Sequence, residues 1–172
     1  MITEKLINSL NNVQTVLLRT PMVLPKWNNT HSICPPLGLA YIASSLRDSG
    51  FDIRCIDALG EAPMQRITSS DKKFVNFGLS TSQILDQLSL KSFNVLFVSL
   101  MFSHEWPKSK KIINAIKKKY PNILLVCGGE HITACPELCI KECPNIDICV
   151  IGEGEETSID LLNALKKKLP LN

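Results

Sequence analysis

The chain has 172 residues, a formal net charge of +3, 45% hydrophobic residues and 20% charged residues. This length fits one domain of ordinary size, and the composition is typical of a folded globular protein. The charge is too small to indicate a nucleic-acid partner, and an aromatic content of 6% provides little material for a base-stacking surface.

The first residues of the chain, 1–12, contain no apolar stretch of signal-peptide length. No later segment reaches the roughly 18 apolar residues of a membrane span. We therefore expect a cytoplasmic protein without membrane contact, in which a tail over residues 1–12 precedes a domain over residues 13–170.

Strand-like and helix-like segments alternate five times along that domain. The predicted strands are Val13–Leu18, Phe51–Ile56, Asn94–Ser99, Ile123–Cys127 and Ile146–Ile151. The third and fourth are continuous apolar runs, which are typical of strands covered on both faces. The second and fifth contain polar residues among apolar ones, which favours edge positions.

A helix-like segment follows each predicted strand, at Pro35–Gly50, from Ser80, and at Glu105–Tyr120, Cys135–Glu142 and Glu153–Lys168. Ser80 and Gln83 have the spacing of a capping box. Strands joined by helical crossovers run parallel. The sequence thus predicts an α/β fold: a three-layer αβα sandwich with a flavodoxin-like five-stranded parallel sheet in the order 2-1-3-4-5. The long connections 19–36 and 57–79 are predicted to be loops.

Seven cysteines, an odd number, do not indicate a disulfide framework in a chain of this size. Cys55, Cys127 and Cys149 fall within apolar runs and are predicted to be small core residues. Three others recur every fourth residue: Cys135, Cys139 and Cys143. They share one helix face, which is either a metal site or a half-buried surface. Because thiols nearly two turns apart converge poorly on one ion, we predict the half-buried surface and no metal ligand.

Ligands of open parallel sheets bind beyond the carboxyl ends of the strands. The loops predicted at that end are apolar after the third strand, where Met101 and Phe102 lie, and glycine-rich after the fourth and fifth strands. Glycines allow a ligand to approach the backbone closely. The sequence therefore predicts a wide site with an apolar floor and a rim of peptide groups.

Motifs for several common ligands are not found. The sequence has no Gly-x-x-x-x-Gly-Lys-Ser/Thr phosphate loop and no Gly-x-Gly-x-x-Gly after a strand. It also has no Gly-x-Ser-x-Gly hydrolase elbow. The loop after the first strand lacks the phosphate cradle of a flavodoxin, which argues against a flavin electron-transfer protein. A large, flat ligand with amide groups suits the predicted site better than a nucleotide.

Three ordered motifs resemble those of a known family. They are Pro35-Pro36-Leu37-Gly38-Leu39-Ala40-Tyr41-Ile42-Ala43, Gly128-Gly129-Glu130-His131-Ile132-Thr133 and Gly152-Glu153-Gly154-Glu155-Glu156-Thr157. Their order and separation resemble the N-terminal cobalamin-binding domain of cobalamin-dependent radical SAM enzymes, over about residues 13–168. The resemblance implies a flavodoxin-like domain that presents cobalamin to a radical SAM domain or subunit for methyl transfer or related chemistry.

The resemblance also implies which residues contact the cofactor. Pro36, Leu37 and Gly38 would flank the corrin ring, and Ser99, Leu100, Met101 and Phe102 would lie beneath it. The remaining rim and the channel for the nucleotide tail would be formed by Gly128, Gly129, Glu130, His131, Gly152, Glu153 and Gly154. For His131, a purely structural role and ligation of cobalt are alternatives to a hydrogen bond with the ligand.

The Cys-x3-Cys-x2-Cys signature of the family's barrel is not in this sequence, so we expect no iron–sulfur cluster site and no catalysis by this chain alone. Another cobalamin class ligates cobalt through the histidine of an Asp-x-His-x-x-Gly loop. His31 lacks that spacing, and we expect no cobalt–histidine bond from its loop. A protein-interaction module that kept the fold and lost the cofactor is the alternative function.

Overall fold

Strands and helices alternate along the described part of the chain, residues 13–28 and 33–169 of a computed structural model. In chain order they are β1 (Thr15–Arg19), β2 (Met22–Pro25), α1 (Leu37–Asp48), β3 (Ile53–Asp57), β4 (Arg66–Thr68), β5 (Phe74–Phe77), α2 (Thr81–Ser89), β6 (Val95–Ser99), α3 (Trp106–Lys119), β7 (Leu124–Gly128), α4 (Glu130–Ala134), α5 (Pro136–Glu142), β8 (Ile148–Cys149) and α6 (Glu155–Lys166). A 3₁₀ turn, Ser103–Glu105, precedes α3. The predicted tail, residues 1–12, and His31 lie outside the described residues.

The main sheet contains five parallel strands in the order β3-β1-β6-β7-β8. This order confirms the predicted flavodoxin-like topology, with the second and fifth predicted strands at the edges. The register aligns the carboxyl ends, because Arg19 lies opposite both Asp57 and Ser99, and Ser99 lies opposite Gly128. The strand order reverses between β1 and β6, so a ligand is expected at this edge of the sheet.

Helices cover both faces of the main sheet. On one face, α1 and α6 contribute buried residues such as Leu46 and Leu162. On the other face, α2 and α3 contribute residues such as Ile84 and Ile113. The central strands β1, β6 and β7 are therefore buried on both faces, which explains their continuous apolar sequences. The predicted three-layer sandwich is confirmed.

A second, three-stranded antiparallel sheet with the order β2-β5-β4 was not predicted. The prediction that both long connections are loops is therefore wrong. These strands have only three or four residues each, too few for a clear alternation of apolar and polar side chains. Their pairing joins distant segments, so it depends on the tertiary fold and not on local sequence.

The predicted fifth strand, Ile146–Ile151, is also too long. Only Ile148–Cys149 pairs with β7, and the sheet ends there. Residues 130–142 differ from the prediction as well, since two short helices replace the single helix from Cys135. The helix is interrupted at Cys135, whose φ of −149° is not helical, and Pro136 occupies the first position of α5.

The predicted burial of the three strand cysteines is confirmed only in part. Cys127 is buried and Cys149 is half-buried, but Cys55 is exposed. Cys55 lies on the edge strand β3, where the neighbouring helix does not cover it, and its Sγ is 3.7 Å from Nη2 of Arg47. Apolar neighbours in the sequence therefore do not predict burial for a residue such as Cys55 on an edge strand.

Helix α2 begins directly after Ser80, as the sequence predicts. The Oγ of Ser80 accepts a hydrogen bond from the Gln83 backbone N–H at 3.2 Å, and Oε1 of Gln83 accepts one from the Ser80 N–H at 2.7 Å. This is the predicted capping box.

Within residues 13–28 and 33–169, no helix combines the length and apolar character needed to cross a bilayer.

Candidate functional site

A cavity of about 210 Å³ lies at the carboxyl end of the main sheet. Its walls come from the ends of β6 and β7, the first turns of α1, and the segment that leads into α6. The predicted site residues that line it are Gly38, Ser99, Met101, Gly128, Gly129, Glu130, Gly152, Glu153 and Gly154. The fold thus brings together residues from four separate segments at the carboxyl end of the main sheet.

Two glycines of the cavity wall border open space. A Cβ atom added at Gly38 or at Gly152 would meet no atom within 4 Å. Gly38 has an ordinary helical backbone in the first turn of α1. Gly152 adopts a φ of +74°, which also favours glycine over other residues.

Backbone groups join the loops around the cavity. The Leu100 N–H donates to the Gly128 carbonyl oxygen at 2.8 Å, and the Gly152 N–H donates to Oγ1 of Thr133 at 3.0 Å. Gly129 has a φ of +108°, and a Cβ there would lie only 2.6 Å from the Leu100 carbonyl oxygen. Glycine at this position allows the loops after β6 and β7 to pass in contact, which produces a rim of peptide groups.

Other predicted site residues do not line the cavity: Pro36, Leu37, Leu100, Phe102 and His131. Leu37 and Phe102 are exposed, and they are next in sequence to the lining residues Gly38 and Met101. The side chain of Leu100 is buried in the core beside α3, so only its backbone faces the loops. The apolar surface at the mouth therefore comes from Leu37, Met101 and Phe102, and not from Leu100.

The His131 ring packs beside α3 instead of lining the cavity. Its Nδ1 is 3.0 Å from Oγ of Ser103, its Nε2 is 3.4 Å from Sγ of Cys139, and its ring centre is 5.2 Å from that of Trp106. Burial lowers the pKa of His131, so the imidazole is neutral at pH 7. Cys143, the last thiol of the predicted ladder, lies elsewhere and donates to Oδ1 of Asn114 at 3.4 Å.

Sequence reasoning missed part of the cavity wall: Leu39, Ile42, Phe97, Val98, Thr133, Val150, Glu155 and Ser158. Most of these residues are apolar and carry no signal beyond that of a core position. Ser158 is different, because it is fully buried on the same face of α6 as Leu161, Leu162 and Leu165. A small polar residue within an apolar helix face was the available signal.

Arg19, also missed, fixes the first loop beside the cavity. Its Nη1 donates to the Cys34 carbonyl oxygen at 2.9 Å and lies 3.4 Å from Oδ2 of Asp57. Since Arg19 ends β1 in register with Ser99, these contacts hold the segment before Gly38 close to the strand ends. A charged residue directly after a buried apolar strand was its signal in the sequence.

A larger depression, of about 870 Å³, lies at the opposite end of the sheet. Its lining includes charged side chains of both signs, among them Arg47, Asp52, Arg54 and Lys166. It is formed at the amino ends of the strands, whereas ligands of open parallel sheets bind at the carboxyl ends. We therefore take the smaller cavity as the candidate functional site.

The size and chemistry of the candidate site indicate a ligand that is only partly enclosed. A volume of 210 Å³ is below the roughly 300–1,000 Å³ of pockets that enclose a drug-sized ligand. A narrow part of a larger ligand fits between the glycines, and a flat apolar part fits the exposed side chains at the mouth. Peptide groups and the exposed carboxylates of Glu130 and Glu153 offer partners for amide groups.

A flavodoxin-like sheet with a glycine-walled cavity at its carboxyl end defines an open α/β domain whose expected ligand site is that end of the sheet. The B12 binding domain family matches residues 28–162 of the sequence. The chain belongs to this family, and cobalamin is the cofactor that this membership supports. The lining is compatible with it, because Gly38 and Gly152 border open space and add no side chain to it.

Known proteins similar to the chain include an "Uncharacterized methyltransferase PH0819" of Pyrococcus horikoshii, 37% identical over 77% of this chain and 25% of that protein. The cobalamin-dependent radical SAM methyltransferase TokK of Streptomyces tokunonensis is 34% identical over 32% of this chain and 8% of its own length. A cobalamin-binding protein of Desulfitobacterium hafniense shares the fold, with a TM-score of 0.57, 11% identity and coverage of 91% and 60% of the two chains. The chain spans about a quarter of the length of the first of these relatives.

Proposed function

We propose that this domain holds cobalamin at the carboxyl end of its sheet and presents it to a radical SAM domain or subunit, for methyl transfer or a related reaction. The glycine-walled cavity, in a chain of the B12-binding family, is the observation that carries the proposal. The names of two relatives, a methyltransferase and a cobalamin-dependent radical SAM methyltransferase, support the reaction class.

The cavity and its mouth have separate roles in this proposal. Gly38, Ser99 and Gly152 would hold the nucleotide tail of cobalamin, because these small residues leave room in the cavity. Met101 and Phe102, which are 43% and 56% exposed, would contact the corrin ring. Covering these side chains removes apolar surface from water and contributes to the binding free energy.

Cobalamin, when bound, supplies a reducible cobalt centre that can carry a methyl group. When cobalamin binds, the residues of this chain would hold and orient the ring, and the apolar side chains of Met101 and Phe102 would exclude water beside it. Neither His104 nor His131 lines the cavity. His104 is exposed and stacks on Phe102 with ring centres 5.6 Å apart.

Reconstitution with hydroxocobalamin tests binding directly. We expect the protein to keep a stoichiometric amount of corrinoid after desalting, measured by the visible absorbance of the corrin. The same spectrum would reveal a flavin. Protein that emerges colourless would contradict cobalamin binding and favour the protein-interaction module.

The cavity itself is tested by Gly38→Trp. A tryptophan at this open position fills the space between α1 and the strand ends, so the affinity for hydroxocobalamin should fall by about tenfold or more, roughly 1.4 kcal/mol. Ala40→Trp is the matched control, because Ala40 is exposed on the same helix and does not line the cavity. Equal affinities of the two variants would place the cofactor elsewhere.

The absence of a histidine ligand from the first loop is a separate prediction. An electron paramagnetic resonance spectrum of the Co(II) form should lack nitrogen splitting that depends on His31. Splitting in the wild-type spectrum that disappears in His31→Ala would refute this prediction without affecting the site of binding.

A protein-interaction module is the second candidate, favoured by the exposed apolar side chains Leu37, Tyr41 and Phe102. Corrinoid retention separates the two functions as described.

For either function we propose the cytoplasm as the location, because all seven cysteines are free thiols, as is usual in a reducing compartment.

A further inference from the structure

A second cluster of potential ligands lies outside the cavity, at the junction of α4 and α5. His131, Cys135 and Cys139 each contribute a ligand atom, and these atoms lie within 4.8 Å of one another. His131 and Cys139 are buried, and Cys135 is half-buried. This arrangement has no role in the proposed binding of cobalamin.

We propose that His131, Cys135 and Cys139 form a binding site for a zinc ion, with Nε2 of His131 and the two Sγ atoms as protein ligands. Imidazole nitrogen and thiolate sulfur are the donors that Zn²⁺ prefers in proteins. Three protein ligands leave one coordination position for a water molecule or an external group.

The distances between the ligand atoms agree with tetrahedral zinc. With Zn–S bonds of about 2.3 Å and Zn–N bonds of about 2.0 Å, tetrahedral angles place two sulfurs about 3.8 Å apart, and a nitrogen and a sulfur about 3.5 Å apart. In the structure, the two Sγ atoms are 4.0 Å apart. The Nε2 atom of His131 is 3.4 Å from Sγ of Cys139 and 4.0 Å from Sγ of Cys135.

The break between α4 and α5 produces this convergence. In a straight helix, residues eight positions apart are separated by about 12 Å along the axis, too far to share an ion. The non-helical backbone of Cys135 turns α5, so that Cys139 reaches the His131 ring. Cys143, on the same spacing, remains outside the cluster because it bonds to Asn114.

The surroundings also prepare His131 for metal binding. Its Nδ1 is 3.0 Å from Oγ of Ser103, and a proton on Nδ1 leaves the Nε2 lone pair available. Zinc-bound histidines usually have such a partner at the second nitrogen. The Trp106 ring, 5.2 Å from the imidazole, covers it on the side of α3, and the partial exposure of Cys135 leaves a path from solvent.

The test is zinc binding by the reduced, corrinoid-free chain, in competition with a chromophoric chelator. We expect one Zn²⁺ per chain and an affinity that falls more than about tenfold in Cys135→Ser. This variant is preferred because Cys135 is half-buried, so the fold should tolerate serine. Cys55→Ser is the control, an exposed thiol on β3 outside the cluster, and should bind Zn²⁺ as the wild type does.

Cobalt(II) ion provides a second measurement that needs no variant. Co²⁺ bound to the wild-type chain should show the thiolate charge-transfer bands and visible bands of a tetrahedral site, and Zn²⁺ should displace it.

Ser103→Ala should lower the zinc affinity by roughly 10–100-fold. Failure of the reduced protein to bind either ion, or an equal loss in Cys55→Ser, would overturn the proposal. So would a Cys135–Cys139 disulfide whose reduction yields no metal binding.

Discussion

Glu105 is a buried carboxyl group that connects the small sheet to the main domain. It is 8% exposed, and its Oε1 accepts a hydrogen bond from the Val23 N–H at 3.2 Å. Burial raises the pKa of Glu105 from 4.5 to about 7, against the lowering effects of the Val23 hydrogen bond and the Arg19 charge. The side chain therefore carries a substantial free-energy cost when it ionises in the folded protein.

The sign of this shift predicts how stability depends on pH. Because the folded state holds the proton more tightly than the unfolded state, the free energy of unfolding should fall as the pH rises from about 4.5 to about 7 and then level off. The loss is at most about 3 kcal/mol. Glu105→Gln keeps an acceptor for Val23 and removes the charge, so it should be more stable than the wild type at pH 8 and similar to it at pH 4.5.

Urea unfolding at both pH values measures this difference, with Glu61→Gln as the control because Glu61 is exposed. Glu61→Gln should leave the pH dependence unchanged. A Glu105→Gln variant that gains the same stability at pH 4.5 and pH 8 would show that ionisation of Glu105 is not the cause.

At the scale of single elements, α2 depends on its capping box for a defined start. The Ser80 hydroxyl accepts the Gln83 N–H, one of the backbone donors that a helix leaves unpaired in its first turn. We expect Ser80→Ala to lower the free energy of unfolding by about 1 kcal/mol, with an unchanged denaturant slope. Ser89→Ala at the other end of α2 should have a smaller effect, since Ser89 is exposed and bonds only to Asp86 of its own helix.

The small sheet gives the two long connections a fixed position beside the main sheet. The Leu79 N–H donates to the Ala58 carbonyl oxygen at 2.7 Å, directly after β5. Gly78 passes so close to Ala58 that a Cβ would lie 2.3 Å from the same oxygen. The chain therefore enters α2 along a defined path, which fixes the layer of helices behind the site.

At the scale of the whole molecule, cobalamin binding should stabilise the folded state. A ligand at 100 times its dissociation constant adds about 2.7 kcal/mol, which for a domain of this size raises the melting temperature by roughly 5–10 °C. We expect this shift in thermal unfolding followed by circular dichroism with hydroxocobalamin. Gly38→Trp should show a smaller shift at the same ligand concentration, and equal shifts would contradict binding in the cavity.

The sequence alone predicted the main sheet and the end of the sheet at which the candidate site lies. Strand and helix patterns are local, with periods of two and 3.6 residues, and parallel crossovers permit few topologies. Gly128 and Gly152 could also be assigned to the candidate site, because each directly follows a predicted strand at the carboxyl end of the sheet, and Gly38 could be assigned through the family resemblance.

Which side chains are in contact could be learned only from the three-dimensional fold. The small sheet pairs distant segments, the exposure of Cys55 depends on which helix covers an edge strand, and Leu100 turns into the core while its neighbours stay exposed. Tertiary structure also determines that His131, and not Cys143, lies next to Cys135 and Cys139. The interruption of the helix at Cys135 changes the direction of α5 and brings these three side chains together. Such outcomes depend on contacts between residues far apart in sequence, which local periodicity does not encode.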